Sequence, residues 1–191
     1  MDSTMKKVND VVAKIVETHG GEDRVSIVNV YVPNTNNFFV CHENLLNKNI
    51  RTFQIDMFHS DDGFETEKDF GMSRDFGGWL NLSNRMGYVS FTANESRAKI
   101  RLGMIRVAES FYGRGYGTLL MNYFKELVKK NPLVNGGTKY THIEGAFLPS
   151  WDRGEDAVRN FYLRHGANAM MLDRKDEIRI SLVDQNKSEK Q

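Results

Sequence analysis

Seven residues, Tyr112-Gly-Arg-Gly-Tyr-Gly-Thr118, have the types and spacing to hold an anion. Glycines at alternate positions let a backbone turn sharply and approach a ligand closely. The segment lies between a β-rich run ending at Val107 and an amphipathic stripe beginning near Thr118. A helix that starts there presents unpaired N–H groups and a partial positive charge, which suit phosphate. Arg114 can add a charge-assisted contact to a phosphate oxygen or stand as a solvated loop cation. The expected arrangement is strand, glycine turn, helix N-terminus and pyrophosphate. A Walker-A loop is excluded, because Gly117 is followed by Thr118 and not by Lys. A dinucleotide-binding Gly-x-Gly-x-x-Gly is excluded by the Gly-x-Gly-x-Gly spacing. Two alternatives stay open. One is a purely structural glycine turn. The other is an RNA-binding motif of the Arg-Gly-Tyr-Gly type at Arg114 to Gly117, which would need strand-borne aromatics where Thr-Leu-Leu-Met has a helical period.

The rest of the composition narrows the chemistry. The chain has 191 residues, 40% hydrophobic and 27% charged, with 26 basic against 25 acidic side chains and a net charge of +1. That balance suits one globular domain and argues against a whole-surface grip on nucleic acid. The single cysteine, Cys41, excludes an intramolecular disulfide and a cysteine-based zinc site, and it fits a reducing cytoplasm. Beside Phe38, Phe39 and Val40 it reads as a small core hydrophobe. His19, His42 and His59 are scattered with no His-x-x-x-His pair, so no metal site is expected. No run reaches the roughly 7–15 apolar residues of a signal peptide or the roughly 20 of a membrane span. A cytoplasmic protein with no membrane partner is expected.

The elements that must position the glycine turn can be read from periodicity. Val8, Val11, Val12, Ile15 and Val16 repeat as one helical face, with Ser3 or Thr4 to cap it and Gly20-Gly21 to end it. Strands are expected over 25–32, 36–41 and 51–59, then a long acidic loop over 60–78. A meander follows, with strands over 79–83, 88–93 and 98–107 and turns over 84–87 and 94–97. Leu119, Leu120, Tyr123, Phe124, Leu127 and Val128 mark a helix that stops near Asn131-Pro132. A strand over 141–147 comes next. A helix then carries Ala157, Val158, Phe161 and Tyr162, with Asp152 and Glu155 spaced like a capping box. Gly166 ends it. A final hairpin over 169–172 and 178–183 and a polar tail complete the chain. The fold class is α/β, with α+β character in a mixed sheet.

In this order the glycine segment resembles the central motif of the Gcn5-related N-acetyltransferase (GNAT) superfamily, a strand followed by Gln/Arg-x-x-Gly-x-Gly/Ala and a helix. Tyr112 replaces the first Gln/Arg. A second family motif, Phe/Leu-Tyr-x-x-x-Gly-Phe, is matched by Phe161-Tyr-Leu-Arg-His-Gly-Ala167. Glu155 and Val158 stand where the family often has Asn and Ala. The resemblance covers about residues 79–183. It implies a central mixed sheet flanked by helices, with two splayed parallel strands forming a coenzyme A cleft.

The resemblance also implies roles. Acetyl-coenzyme A would be the cosubstrate, with no metal. Its pyrophosphate would lie on Tyr112, Gly113, Arg114, Gly115, Tyr116, Gly117 and Thr118. Its pantetheine arm would pair with the strand end near Ile105 and Val107, as an added strand does. Tyr162 would stand beside the sulfur. A phenol of ordinary pKa near 10 can protonate a leaving thiolate. Glu144 is the first candidate base, with His142 and Glu109 nearby and water as the alternative. His165 reads as a helix C-terminal cation.

The resemblance further implies N-acetyl transfer to a primary amine, on a small molecule or on a protein or peptide, by direct attack. A single domain over 1–191 is expected, with an acceptor part over 1–78, a coenzyme core over 79–183 and a tail over 184–191. The phenylalanines and acidic residues of 60–78 would suit a cationic acceptor. Rival readings are a non-catalytic coenzyme A sensor or scaffold of the same fold and, more remotely, an RNA-binding module. Near-zero net charge argues against a nucleic-acid partner, and residues 1–70 leave room for a homodimer contact.

Overall fold

The computed structural model describes residues 3–33, 37–46, 50–59, 85–147 and 154–183. The acidic loop over 60–78, the strand over 79–83, Asp152 and the tail over 184–191 lie outside the described residues.

Helix α1 spans Ser3–Thr18. It exists because Val8 and Ile15 need burial, and it stops where Gly20 and Gly21 take positive φ and Gly21 N–H turns back to the carbonyl of Val16. Strands β1 (Val25–Tyr31), β2 (Asn37–Asn44), β3 (Arg51–His59), β4 (Arg85–Asn94) and β5 (Lys99–Val107) follow. A 3-10 turn over Glu109–Phe111 leads to α2 (Tyr116–Lys130) and the short α3 (Pro132–Asn135). Then come β6 (His142–Ala146), α4 (Glu155–Arg164), α5 (Ala169–Lys175) and β7 (Glu177–Ser181).

Among the described residues these strands form one sheet of seven in sequence order. Each neighbouring pair is antiparallel except β5 and β6, which run parallel. A parallel pair needs a crossover, and α2 with α3 supplies it.

The sheet is covered on two faces because its strands alternate. Phe39, Cys41, Phe53, Ile55, Val89 and Phe91 face α2, whose Leu120, Phe124 and Val128 complete the larger core. Phe38, Val40 and Phe58 face the other way and bury against Val8 and Ile15 of α1. Cys41 belongs to the first set, and burial pushes its thiol well above the ordinary range.

The α1 side also holds a charged cluster. Asp56 is fully buried and directly opposite Tyr88 in the sheet. Its carboxylate is ion-paired with the Arg85 guanidinium at 2.6 Å, and it accepts from His42 Nε2 at 2.9 Å and from Gln54 Nε2 at 2.9 Å. The Arg85 guanidinium lies 4.4 Å over the Tyr88 ring, and the Tyr88 hydroxyl donates to Met104 Sδ at 3.0 Å.

Three local expectations are corrected. The turn expected over 84–87 is strand from Arg85 onward, because Met86 is fully buried and Arg85 is drawn to Asp56. The first arm of the final hairpin is instead helix α5. Asn168 caps it by accepting from the amides of Met170 and Met171, and Ala-Met-Met-Leu favours a helix once capped. At α4 Gly154 is the cap residue and Glu155 is the first helical residue, not the third as the capping-box spacing required; Asp152 lies outside the described residues. In α2, Leu119 is exposed and Met121 takes a buried place beside Leu120.

Candidate active site

Strand β5 is bonded to different extents on its two sides. Toward β4 it is paired along its length, from Lys99 opposite Asn94 to Val107 opposite Gly87. Toward β6 it is paired over three positions, ending at Leu102 opposite Gly145. Beyond that point β5 continues through Gly103, Met104, Ile105, Arg106 and Val107 while β6 stays with β7 through Ala146. Beyond Leu102 and Gly145 the two strands are therefore no longer paired, and among the described residues the edge of β5 from Gly103 onward carries main-chain groups with no β6 partner, where the expected cleft would open.

A β-bulge marks the start of the cleft. Ser90 pairs with Met104 and Phe91 with Leu102, so Gly103 is the extra residue. A Cβ at Gly103 would stand 2.9 Å from Ser90 Oγ, so only glycine fits without displacement.

The outer end of the cleft leads to the glycine turn. Gly113 and Gly115 have φ of 73° and 85°, the left-handed region that other residues enter at a cost. Both are exposed. The first helical bond of α2 runs from Leu119 N–H to Gly115 O, so the amides of Tyr116, Gly117 and Thr118 stand ahead of the ladder. The expected placement of 112–118 between a strand end and a helix N-terminus is what the fold contains, with α2 starting two residues earlier than the stripe indicated.

Helix α4 closes the other side. Phe161 packs against Gly117 at the start of α2. Tyr162 is buried, with its ring 6.3 Å from Phe147, the residue that follows β6, and 5.3 Å from Phe161. Burial among these rings pushes its phenol up to about 12. Tyr162 is thus a protonated hydroxyl at neutral pH. Helix α4 thus meets the start of α2 through Phe161 and the end of β6 through Tyr162.

Glu144 lies on β6 opposite Arg101, in the paired part just before that pairing ends. It accepts from His142 Nε2 at 3.0 Å and from Lys99 Nζ at 3.1 Å. These two partners hold its carboxyl below the ordinary range, which weakens it as a base. His165 does not act as a helix-end cation. It is buried against Phe161, and burial first, then Lys125 and Arg164, lower its pKa to about 4.

Sequence reasoning placed Met104 on the strand end expected to line the cleft but gave it no role, and it did not single out Tyr88 or the Asp56 cluster. A strand over 88–93 was expected, but which strand faces which is set by pairing between segments far apart in the chain.

Among the described residues, no group of three or more His, Cys, Asp or Glu is arranged to hold a metal, and no helix is long and apolar enough to cross a membrane.

Several solved structures are similar. A putative acetyltransferase of the GNAT family from Desulfovibrio desulfuricans is 18% identical, over 69% of this chain and 70% of that one, with a TM-score of 0.41. Tetrahymena Gcn5 is 11% identical over 73% and 72%, with a TM-score of 0.40. Nourseothricin acetyltransferase is 14% identical over 87% and 92%, with a TM-score of 0.41. No curated protein matches the sequence. The family model of the GNAT acetyltransferases matches residues 45–167, which span both the splayed strands and the glycine turn. With that match over more than half its length, the chain belongs to the GNAT acetyltransferase family.

Proposed function

We propose that the protein transfers the acetyl group of acetyl-coenzyme A to a primary amine by direct attack. The observation that carries this reading is the open edge of β5, which runs from the vertex at Leu102 out to the exposed turn before α2. An extended pantetheine arm can pair with that edge near Ile105 and Val107, as a peptide adds to a sheet. Its pyrophosphate then reaches the backbone from Tyr112 to Thr118, where helix N-terminus and loop amides favour an anion. Arg114 is exposed and adjacent for a charge-assisted contact.

The acyl end lies at the vertex, near Tyr162. The amine lone pair attacks the thioester carbonyl, and the C–S bond then breaks. Tyr162 gives its proton to the departing sulfur. A phenol raised to about 12 is still protonated when needed, and desolvation costs the thiolate as well, so proton transfer between them is favoured. The proton lost by the attacking nitrogen leaves through water. Glu144, held as a carboxylate by His142 and Lys99, is the second acceptor considered. The acceptor part is assigned to residues 1–78, and the acceptor is a small amine or a peptide or protein amine.

The test is calorimetric titration with acetyl-coenzyme A, using ATP as the control, followed by turnover on a panel of amines. Micromolar or tighter binding of acetyl-coenzyme A, none of ATP, and product from at least one amine are expected. Binding without turnover on any amine would favour the sensor or scaffold reading. No binding would remove the enzyme reading and return 112–118 to a structural turn.

A further inference from the structure

We propose that Met104, pinned by Tyr88, closes the inner end of the cleft and restricts the transferred acyl group to acetyl. The inference rests on the acyl-coenzyme A reading above and deepens it.

The open edge of β5 covers five residues, Gly103 to Val107. At strand spacing these span about 17 Å, so an arm laid along them from the glycine turn ends at the vertex. The vertex is built from small residues: Gly103 on β5, with Gly145 and Ala146 on β6. Leu102 beside them is buried in the core. Met104 is the long side chain at this point, and it is 41% exposed. Alternation along the strand turns it away from Ile105, which packs on the α2 core. It therefore walls the face opposite α2.

A methionine is normally the most adaptable of apolar side chains and would swing aside for a longer acyl chain. This one is held. The Tyr88 hydroxyl donates to its sulfur at 3.0 Å. Tyr88 is itself 1% exposed, capped by Arg85, which is bound to the buried Asp56 carboxylate. A series of fixed side chains thus runs from the sheet interior to the thioether. The bulge at Gly103 sets the register that puts Met104 opposite Ser90, within reach of Tyr88. A wall of this kind rejects added methylenes, each worth about ten-fold or more in discrimination.

The experiment compares the affinities of the full chain for free coenzyme A, acetyl-coenzyme A and butyryl-coenzyme A by calorimetry. Wild type, Met104→Ala and Tyr88→Phe are titrated, with thermal melting to check folding. Wild type is expected to bind butyryl-coenzyme A, which carries two added methylenes, at least about 100-fold more weakly than acetyl-coenzyme A. Met104→Ala is expected to bring the two within about three-fold while keeping its affinity for free coenzyme A. Tyr88→Phe keeps the ring under Arg85 and removes only the hydroxyl, so it should fall between. If Met104→Ala does not fold, Met104→Val takes its place with the same expectation.

A wild type that binds free coenzyme A yet accepts both acyl forms equally overturns this inference alone. Unchanged discrimination in the Met104 variant does the same. Loss of discrimination in that variant with none in Tyr88→Phe overturns the pinning by Tyr88. A wild type that binds no coenzyme A overturns the underlying reading and this inference with it.

Discussion

Asp56 and Tyr162 are both buried acids, and the protein treats them in opposite ways. Burial alone would raise both pKa values. At Asp56 the charge of Arg85 and the hydrogen bonds of His42 and Gln54 more than offset burial, so its carboxyl stays below the ordinary range. At Tyr162 burial acts without such a partner, and the phenol rises to about 12. The comparison separates a structural cluster from a chemical one. Asp56 has its acceptor sites filled by the protein, so it fixes β2, β3 and β4 to one another and holds no proton to give. Tyr162 keeps its proton beside a cleft. Partners, and not depth, decide what a buried titratable group is for.

Breaking the first member should have the largest effect. Asp56→Ala leaves Arg85 buried without its carboxylate, which costs about 3–5 kcal/mol when one partner of a buried pair is removed. Urea denaturation should show that loss, and a change below about 1 kcal/mol would mean that the cluster does not hold the strands. Tyr162→Phe should do the reverse. Stability should change by less than about 1 kcal/mol, because the ring stays. Turnover should fall about 100-fold or more, because the proton donor is gone. Equal turnover with lower stability would make Tyr162 a core ring and nothing more.

A pH titration of stability sharpens the same contrast. The unfolded chain protonates His165 near 6.5 and the folded chain near 4. Between those values the unfolded state binds more protons, so stability falls as pH drops from 6.5 to about 4. His165→Leu should flatten this part of the curve. Asp56 acts at lower pH. Its folded pKa lies below the ordinary 3.8, so its contribution is present above 3.8 and is lost as pH falls through the lowered value. Denaturant midpoints across the acid range read both limbs, and an unchanged slope in His165→Leu would contradict the first.

The smallest effect belongs to the glycine turn. Gly115→Ala forces a Cβ into a φ of 85°, at a cost of about 1 kcal/mol. The site is open, so the cost is backbone strain without a clash. Thermal melting should register it, together with weaker binding of acetyl-coenzyme A. A variant as stable as wild type would show that the turn relaxes freely.

Much of the fold was legible in local pattern. The apolar face of α1, the strand over 51–59 and the helix after the glycine turn follow from spacing alone, because each element buries a face with its own period. Two other segments misled. Ala169 to Leu172 reads as β because it is short and apolar, and Asn168 decides for helix by capping it. Arg85 to Gly87 has turn residues, and burial of Met86 with the Arg85–Asp56 pair overrides them. His165 shows the same limit: a cation by position, it is neutral because Phe161 and the helix cover it.

The sequence by itself determined the elements, the glycine turn and the residue types available for chemistry, since helix and strand periods and left-handed glycine positions are local properties of the chain. Only the tertiary structure decided where β5 parts from β6, that Asp56 is neutralised by Arg85, and that Tyr88 reaches Met104. Those depend on pairing between residues tens of positions apart, and a register cannot be read from either strand alone.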